Sequence, residues 1–319
     1  MTATLPVDSL KLPRFCGVPT FMRLDHDASL EGIDAAILGI PSDSGAPYRT
    51  GSRFAPNAIR AMSVMLRPIN PYRGGINIFE ELRIRDVGDC GVVPGYLEET
   101  YRQIEEAVDA IAAAGVVPMC LGGDHSVTLP QLRAVARRHG PLALIHFDSH
   151  SDTWDSYFAG KLYSAGTPFR RAVEENIVDP SHSIQIGMRG SLFAPTDVSQ
   201  SVELGYEVLT TDDVFALGAD RLAERVAART AGRPVFLTFD LDFVDPAAAP
   251  GVQTPESGGF SAHETLTILR KLHGVDLVGC DVVETNPLYD GPGQITSLLA
   301  ATVMAELLAL LADSRRTKL

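Results

Sequence analysis

Six apolar runs punctuate the chain: "IDAAILGI" (33–40), "VPMCLGG" (117–123), "LALIHFD" (142–148), "SIQIGM" (183–188), "PVFLTFDLD" (234–242) and "VDLVGCDVVE" (275–284). They are nearly continuous rather than alternating, as expected of strands covered on both faces. Between them, apolar positions recur at helical spacing. "LEETYRQIEEAVDAIAAAG" (97–115) and "SVTLPQLRAVARRHG" (126–140) each end on a glycine stop. "SAHETLTILRKLHG" (261–274) opens on Ser261 and Glu264, the spacing of a capping box. "QITSLLAATVMAELLALLAD" (294–313) is apolar enough to be largely buried. Strand–helix alternation of this kind predicts an α/β fold, a three-layer α/β/α sandwich around a mostly parallel central sheet. No repeat, low-complexity tract or linker interrupts it. Residues 1–319 therefore read as a single domain, with 1–30 an irregular N-terminal arm.

Composition changes this picture little. The chain has 319 residues and a formal net charge of −13, which argues against a nucleic-acid partner in the absence of a basic patch. The arginine pairs at 137–138, 170–171 and 315–316 read as solvated faces. An acidic chain suits a cationic substrate, weakly. Cys16, Cys90, Cys120 and Cys280 are scattered without metal-site spacing and read as free thiols in a reducing compartment. The N-terminus has no apolar signal region, and no apolar run approaches the roughly 20 residues of a membrane span. The expected location is cytoplasmic, with no membrane partner.

The chemistry gathers at strand ends, where open α/β sheets bind their ligands. "LGGDHS" closes one strand with Asp124 and His125, "HFDSHSD" the next with Asp148, His150 and Asp152, and "TFDLDFVDP" a later one with Asp240, Asp242 and Asp245. One such cluster reads as helix caps and turns. Three at one rim would crowd several carboxylates, which cannot all stay ionised without compensation. A pair of divalent cations supplies it, and mixed imidazole and carboxylate donors suit Mn, Zn, Fe or Ni better than Mg or Ca. In extended chain, the spacing D-x-H-x-D aims Asp148, His150 and Asp152 the same way.

"GGDHS" (122–126), "DSHSD" (148–152) and "FDLDFVDPAAAPGVQTPESGG" (239–259) resemble the three signature motifs of the ureohydrolases, the family of arginase, agmatinase, guanidinobutyrase, guanidinopropionase and proclavaminate amidinohydrolase. The resemblance covers most of the chain. "PTFMRL" (19–24), "GSRFAP" (51–56), "GTPFRRAVEE" (166–175), "QIGMRG" (185–190) and "GCDVVETNPLYD" (279–290) fit its agmatinase-like branch better than arginase. The resemblance implies two divalent ions, Mn2+ or alternatively Ni2+. It implies His125, Asp148, Asp152 and Asp240 around one, and Asp148, His150, Asp240 and Asp242 around the other. It also implies that a hydroxide bridging the ions attacks a guanidinium carbon, with expulsion of an amine and formation of urea or a urea derivative. Asp152 would hold that hydroxide and pass on its proton, and Glu284 would grip the guanidinium. A trimer or hexamer is implied, with the apolar arm 12–22 as weak support; a hetero-oligomer is the variant.

The chain departs from the family near that site. Ala165 in "SAGTPF" stands where the family carries histidine, and alanine neither titrates nor donates a hydrogen bond. General acid–base help is worth about two to four orders of magnitude in rate. His146 and His182 lie in strand-like segments and read as structural. "GVQTPE" places Val252 and Gln253 where small residues are usual, ahead of Glu256, and Ser149 replaces a common alanine. The only tryptophan, Trp154, follows a ligand and could form a pocket wall against a cation. Trp154, Ala165, Gln253 and Glu256 are thus the expected substrate contacts beside Glu284. The altered pocket argues against agmatine and leaves a guanidino acid, guanidine, or a biguanide such as metformin. The alternative is a non-catalytic supporting subunit, which six intact ligands argue against.

Overall fold

The computed structural model describes residues 6–8 and 10–316. Its strands are β1 (Ala35–Gly39), β2 (Ile69–Asn70), β3 (Ile76–Asn77), β4 (Ile84–Asp89), β5 (Val117–Leu121), β6 (Ala143–Phe147), β7 (Ile184–Met188), β8 (Glu207–Thr210), β9 (Pro234–Asp240) and β10 (Asp276–Val283). Its helices are α1 (Ala55–Ser63), α2 (Ile78–Glu81), α3 (Leu97–Ala113), α4 (Thr128–His139), α5 (Pro168–Glu174), α6 (Ser199–Leu204), α7 (Thr211–Arg229), α8 (Ala262–Lys271) and α9 (Ile295–Arg316). Eight strands form one sheet in the order β4-β1-β5-β10-β9-β6-β7-β8. Every pairing in it is parallel. The short antiparallel pair β2–β3 lies apart.

Alternate residues of each strand enter different cores. Ala35 and Ile37 of β1 join one apolar cluster with α1, α7, α8 and α9, while Ala36 and Leu38 join another with α3 and α4. Both faces are covered, which is why the strands read as unbroken apolar runs. This is the three-layer sandwich expected from the alternation.

All six expected strands form. Those of β5, β6, β9 and β10 end at residues 121, 147, 240 and 283, one or two residues before the expected bounds. β4 escaped notice because its inward side is polar: buried Asp86 is gripped by Arg60 from α1 through two bonds of 2.8 and 2.9 Å. α7 is broken by Gly218 at φ 73°, which blurs its helical period, although Thr210 and Asp213 form a capping box at its start.

Two expectations need correction. α9, with 22 residues, is long and apolar enough to cross a membrane by length and composition, so a span-length apolar run does exist. It is buried almost throughout in the core, packed on β10, α1 and α8. The arm is also less irregular than expected near its end. Phe21 and Met22 are buried in a 3-10 turn, Phe21–Arg23, whereas Leu10, Phe15 and Val18 stand exposed. Residues 1–5 and 9 of the arm lie outside the described residues.

Candidate metal centre

The donors sit just past the carboxyl ends of β5, β9 and β6, with β10 lying between β5 and β9 in the sheet. After β5 the chain passes so close to Ser42 that a Cβ at Gly123 would collide with the Ser42 carbonyl oxygen, so only glycine fits there. Asp124 then accepts from the backbone N–H groups of Gly45 (2.7 Å) and Ser126 (2.9 Å), which occupies both its oxygens and orients His125. After β6, the His150 N–H turns back to Asp148 Oδ1 at 2.6 Å. After β9, the Asp242 N–H does the same to Asp240 Oδ1 at 2.7 Å. Asp245 is not a ligand; it caps the following loop through the N–H groups of Ala247, Gly258 and Gly259.

His125 Nδ1 lies 3.0 Å from Asp148 Oδ2, 3.0 Å from Asp152 Oδ2 and 3.1 Å from Asp240 Oδ2. It is buried, yet makes no hydrogen bond of normal geometry with any of them. One ring nitrogen cannot serve three carboxylate oxygens; a cation among the four atoms can. A second group, Asp148, His150 and Asp242, closes beside it, with His150 Nδ1 3.0 Å from Asp242 Oδ2 and 3.5 Å from Asp148 Oδ1. Asp148 belongs to both groups. The residues present therefore fit two metal ions sharing Asp148.

Electrostatics say the same. Burial alone would raise Asp148, but His146, His125 and His150 outweigh it and hold the carboxyl well below its usual range. Burial and the Asp148 charge push Asp152 up to about 6. Burial with the charges of Asp242 and Asp148 holds Asp240 well above the ordinary value. Against burial, Asp148, Asp152 and Asp240 raise His125. Without a cation, this cluster keeps its charge low by retaining protons.

Two expectations change. Asp148, His150 and Asp152 do not aim at one point, because the strand stops at Phe147 and Asp152 is left-handed at φ 50°. Asp148 and Asp152 face His125, whereas His150 turns to Asp242. His146 does lie buried in β6, as expected of a structural residue, and its Nε2, 2.7 Å from Asp148 Oδ2, also supports a ligand. His182 lies in a 3-10 turn, not a strand, bonded to Asp179. Nothing in the sequence beyond an anomalous polar residue in an apolar run marks His146.

A cavity of ≈ 370 Å³ opens over the second group, within the range of small-molecule sites. His150, Trp154 and Glu256 line it, with Tyr48, Tyr157, Phe193, Asp197 and Arg189, which sequence reasoning missed. Tyr157 lies in the same "WDSYF" stretch as Trp154; Phe193 and Asp197 sit in a loop with no distinguishing signal. The other three expected contacts are not on this wall. Ala165 is buried, its N–H donating to the Gly45 carbonyl. Glu284, left-handed at φ 64°, accepts from the His125 N–H and from Gln253 Nε2, each at 2.7 Å. Burial and the charges of Asp240 and Asp124 hold its carboxyl well above the usual range.

A parallel α/β sheet with a buried carboxylate–imidazole cluster at its carboxyl edge defines a metal-centre protein of the kind that activates small molecules there. Residues 33–310 match the Arginase family, and the chain belongs to it. Guanidinobutyrase of Pseudomonas aeruginosa is 42% identical over 309 residues, 96% of this chain and 96% of that one. Guanidinopropionase of the same organism is 41% identical over 309 residues, 97% of this chain and 96% of that one. Among solved structures, proclavaminate amidinohydrolase from Streptomyces clavuligerus superposes with a TM-score of 0.90 at 39% identity, covering 95% of this chain and 99% of that one. These are names of hydrolases acting on C–N bonds of linear amidines, and the family depends on a binuclear metal centre.

Proposed function

We propose that the chain is a binuclear-metal amidinohydrolase that hydrolyses a C–N bond of a guanidino compound, releasing an amine with urea or a urea derivative. The observation that carries this is the convergence of three buried carboxylate oxygens on His125 Nδ1, beside a second donor group under an open cavity. We assign His125, Asp148, Asp152 and Asp240 to one ion and Asp148, His150 and Asp242 to the other. The resemblance also places Asp240 in the second set, and its Oδ1, which accepts from the Asp242 N–H, keeps a lone pair for that ion, as Asp148 Oδ1 does beside the His150 N–H. What the ions, Mn2+ or Ni2+, supply when bound is Lewis-acid activation of water near neutral pH.

The residues do the rest. Asp152, buried with its Oδ2 3.0 Å from His125 Nδ1, is assigned the role of holding a proton and passing it on. Glu284 lies off the cavity wall, and in its ionised form it keeps one lone pair on each oxygen beyond the bonds from the His125 N–H and Gln253 Nε2, the acceptors a guanidinium needs. Trp154, Tyr157 and Phe193 wall the cavity with aromatic faces, and Asp197 and Glu256 supply the acids.

The same wall bears on the substrate. Its one guanidinium, Arg189, is already spent on the carbonyls of Asp242 (2.5 Å), Glu256 (2.9 Å) and Phe243 (3.1 Å). No other lysine or arginine lines the cavity among the described residues. This supports a substrate with apolar or cationic N-substituents, such as an alkylated guanidine or biguanide, over one ending in a carboxylate. The guanidino acids named in the relatives are the competing class. The exposed Phe15 and Val18 of the arm support a homo-oligomer. The test is mass-spectrometric detection of products from chain loaded with Mn2+ or Ni2+. The panel is guanidine, metformin, agmatine, arginine, guanidinopropionate and guanidinobutyrate. Turnover of a substrate without a carboxylate is expected; turnover of guanidino acids alone overturns the substrate reading, and silence across the panel overturns the enzyme reading in favour of a supporting subunit.

A further inference from the structure

We propose that Ser149 is a positioning residue that limits Asp242 to a single donor oxygen at the second metal ion, and so leaves that ion a coordination position without a protein donor; this rests on the reading of the cluster as a metal centre. Ser149 stands where the resembling motif commonly carries alanine. It is buried and lines the cavity beside His150. Any residue at this position would offer its backbone N–H; the serine adds a hydroxyl.

Each oxygen of an ionised carboxylate has two lone pairs. The aspartates around the second group spend theirs differently. Asp148 Oδ1 accepts the His150 N–H at 2.6 Å, and Asp240 Oδ1 accepts the Asp242 N–H at 2.7 Å. Each of these oxygens keeps one lone pair for an ion. Asp242 Oδ1 accepts twice, from the Ser149 N–H at 3.0 Å and from the Ser149 hydroxyl at 2.6 Å, and keeps none. Ser149 Oγ also lies 3.1 Å from His150 Nδ1. A hydroxyl has one hydrogen and a carboxylate oxygen can only accept, so the shorter contact takes it. Asp242 Oδ2 accepts from Thr254 Oγ1 at 3.2 Å and faces His150 Nδ1 at 3.0 Å, with one lone pair left. Asp242 therefore has one donor atom to give.

A carboxylate with both oxygens available closes two positions on a cation, and Asp242 closes one. The count matters because a fully closed protein shell makes a structural metal site, whereas a position without a protein donor admits water or substrate. The second group lies under the cavity, where substrate has access.

The test is the visible absorption of the chain loaded with Co2+ at both donor groups, with circular dichroism to establish folding and plasma mass spectrometry to establish metal content. Co2+ bands report coordination geometry and weaken as the coordination number rises. Ser149→Ala removes the hydroxyl, keeps the backbone N–H and frees a lone pair on Asp242 Oδ1. It is expected to take up as much Co2+ as the parent, with a loss of visible intensity and a shift of the bands. Ser149→Thr keeps a hydroxyl and is expected to keep the parent spectrum. A folded, loaded Ser149→Ala chain with the parent spectrum overturns the inference, as does a folded Ser149→Thr chain with the spectrum of the alanine variant. A Ser149→Ala chain that holds less Co2+ than the parent also overturns it, since the freed oxygen adds a donor. A parent chain that takes up no Co2+ overturns the metal-centre reading itself and the inference with it.

Discussion

Gln253 is the replacement whose consequence is most directly measurable. It stands where small residues are usual in the resembling motif, and its amide reaches Glu284 Oε2 at 2.7 Å. Both side chains are buried, at 0% and 2% exposure, so no water takes over when the donor is removed. Gln253→Met keeps the length and volume of the side chain but not the N–H. A buried acceptor left unsatisfied costs about 1–3 kcal/mol. Unfolding entropy scales at about 2.1 cal/mol/K per residue, or about 0.7 kcal/mol/K for 319 residues. The expected fall in Tm is therefore about 1.5–4 °C by scanning calorimetry. If Glu284 binds the guanidinium, the same 1–3 kcal/mol appears as a loss of about 5- to 150-fold in kcat/KM. Unchanged Tm and unchanged kcat/KM in the methionine variant would refute both the bond's worth and the assignment of Glu284.

Three further outcomes follow from the geometry. Each ion held at 100 times its Kd adds about 2.7 kcal/mol to stability, so chelator treatment should lower Tm by several degrees and Mn2+ should restore it; an identical melting curve would count against metal binding. Trp154→Ala should raise KM for a cationic substrate by about 2- to 30-fold with little change in kcat, as expected for one lost cation–π contact; an unchanged KM places the tryptophan outside the substrate path. Ala165→His should destabilise the chain by about 1–3 kcal/mol. Ala165 is buried next to Gly166, where even a Cβ would come within 2.6 Å of the Trp154 ring. A histidine variant as stable as the parent in denaturant titration would show that the space is free.

The ligand set was legible in the sequence because metal chemistry needs particular residue types where strands end. Asp148, His150 and Asp152 follow β6 and Asp240 and Asp242 close β9, both after unmistakable apolar runs. What spacing could not convey is the local turn. The Asx bond from His150 N–H to Asp148 and the left-handed Asp152 divide three aligned donors between two groups. The lateral order of the polar strand residues was illegible for a different reason. His146, Thr238 and Asp281 each interrupt an apolar run singly, and only the register of strands far apart in sequence shows that they are neighbours across the sheet. β4 and β8, at the sheet's edges, lack the apolar runs that marked the central strands. The cavity wall was partly legible, through Trp154 and Glu256. Phe193 and Asp197 reach it only through the path of a loop.

The central claim is that the His/Asp cluster holds two metal ions. Metal content of chain purified from Mn2+-supplemented culture, measured by plasma mass spectrometry against protein concentration, tests it most directly. The account predicts about two ions per chain, falling to about one or fewer in Asp148→Ala, which removes the carboxylate shared by both groups. A ratio near zero in the parent chain, after attempted reloading with Mn2+ and Ni2+, would contradict it.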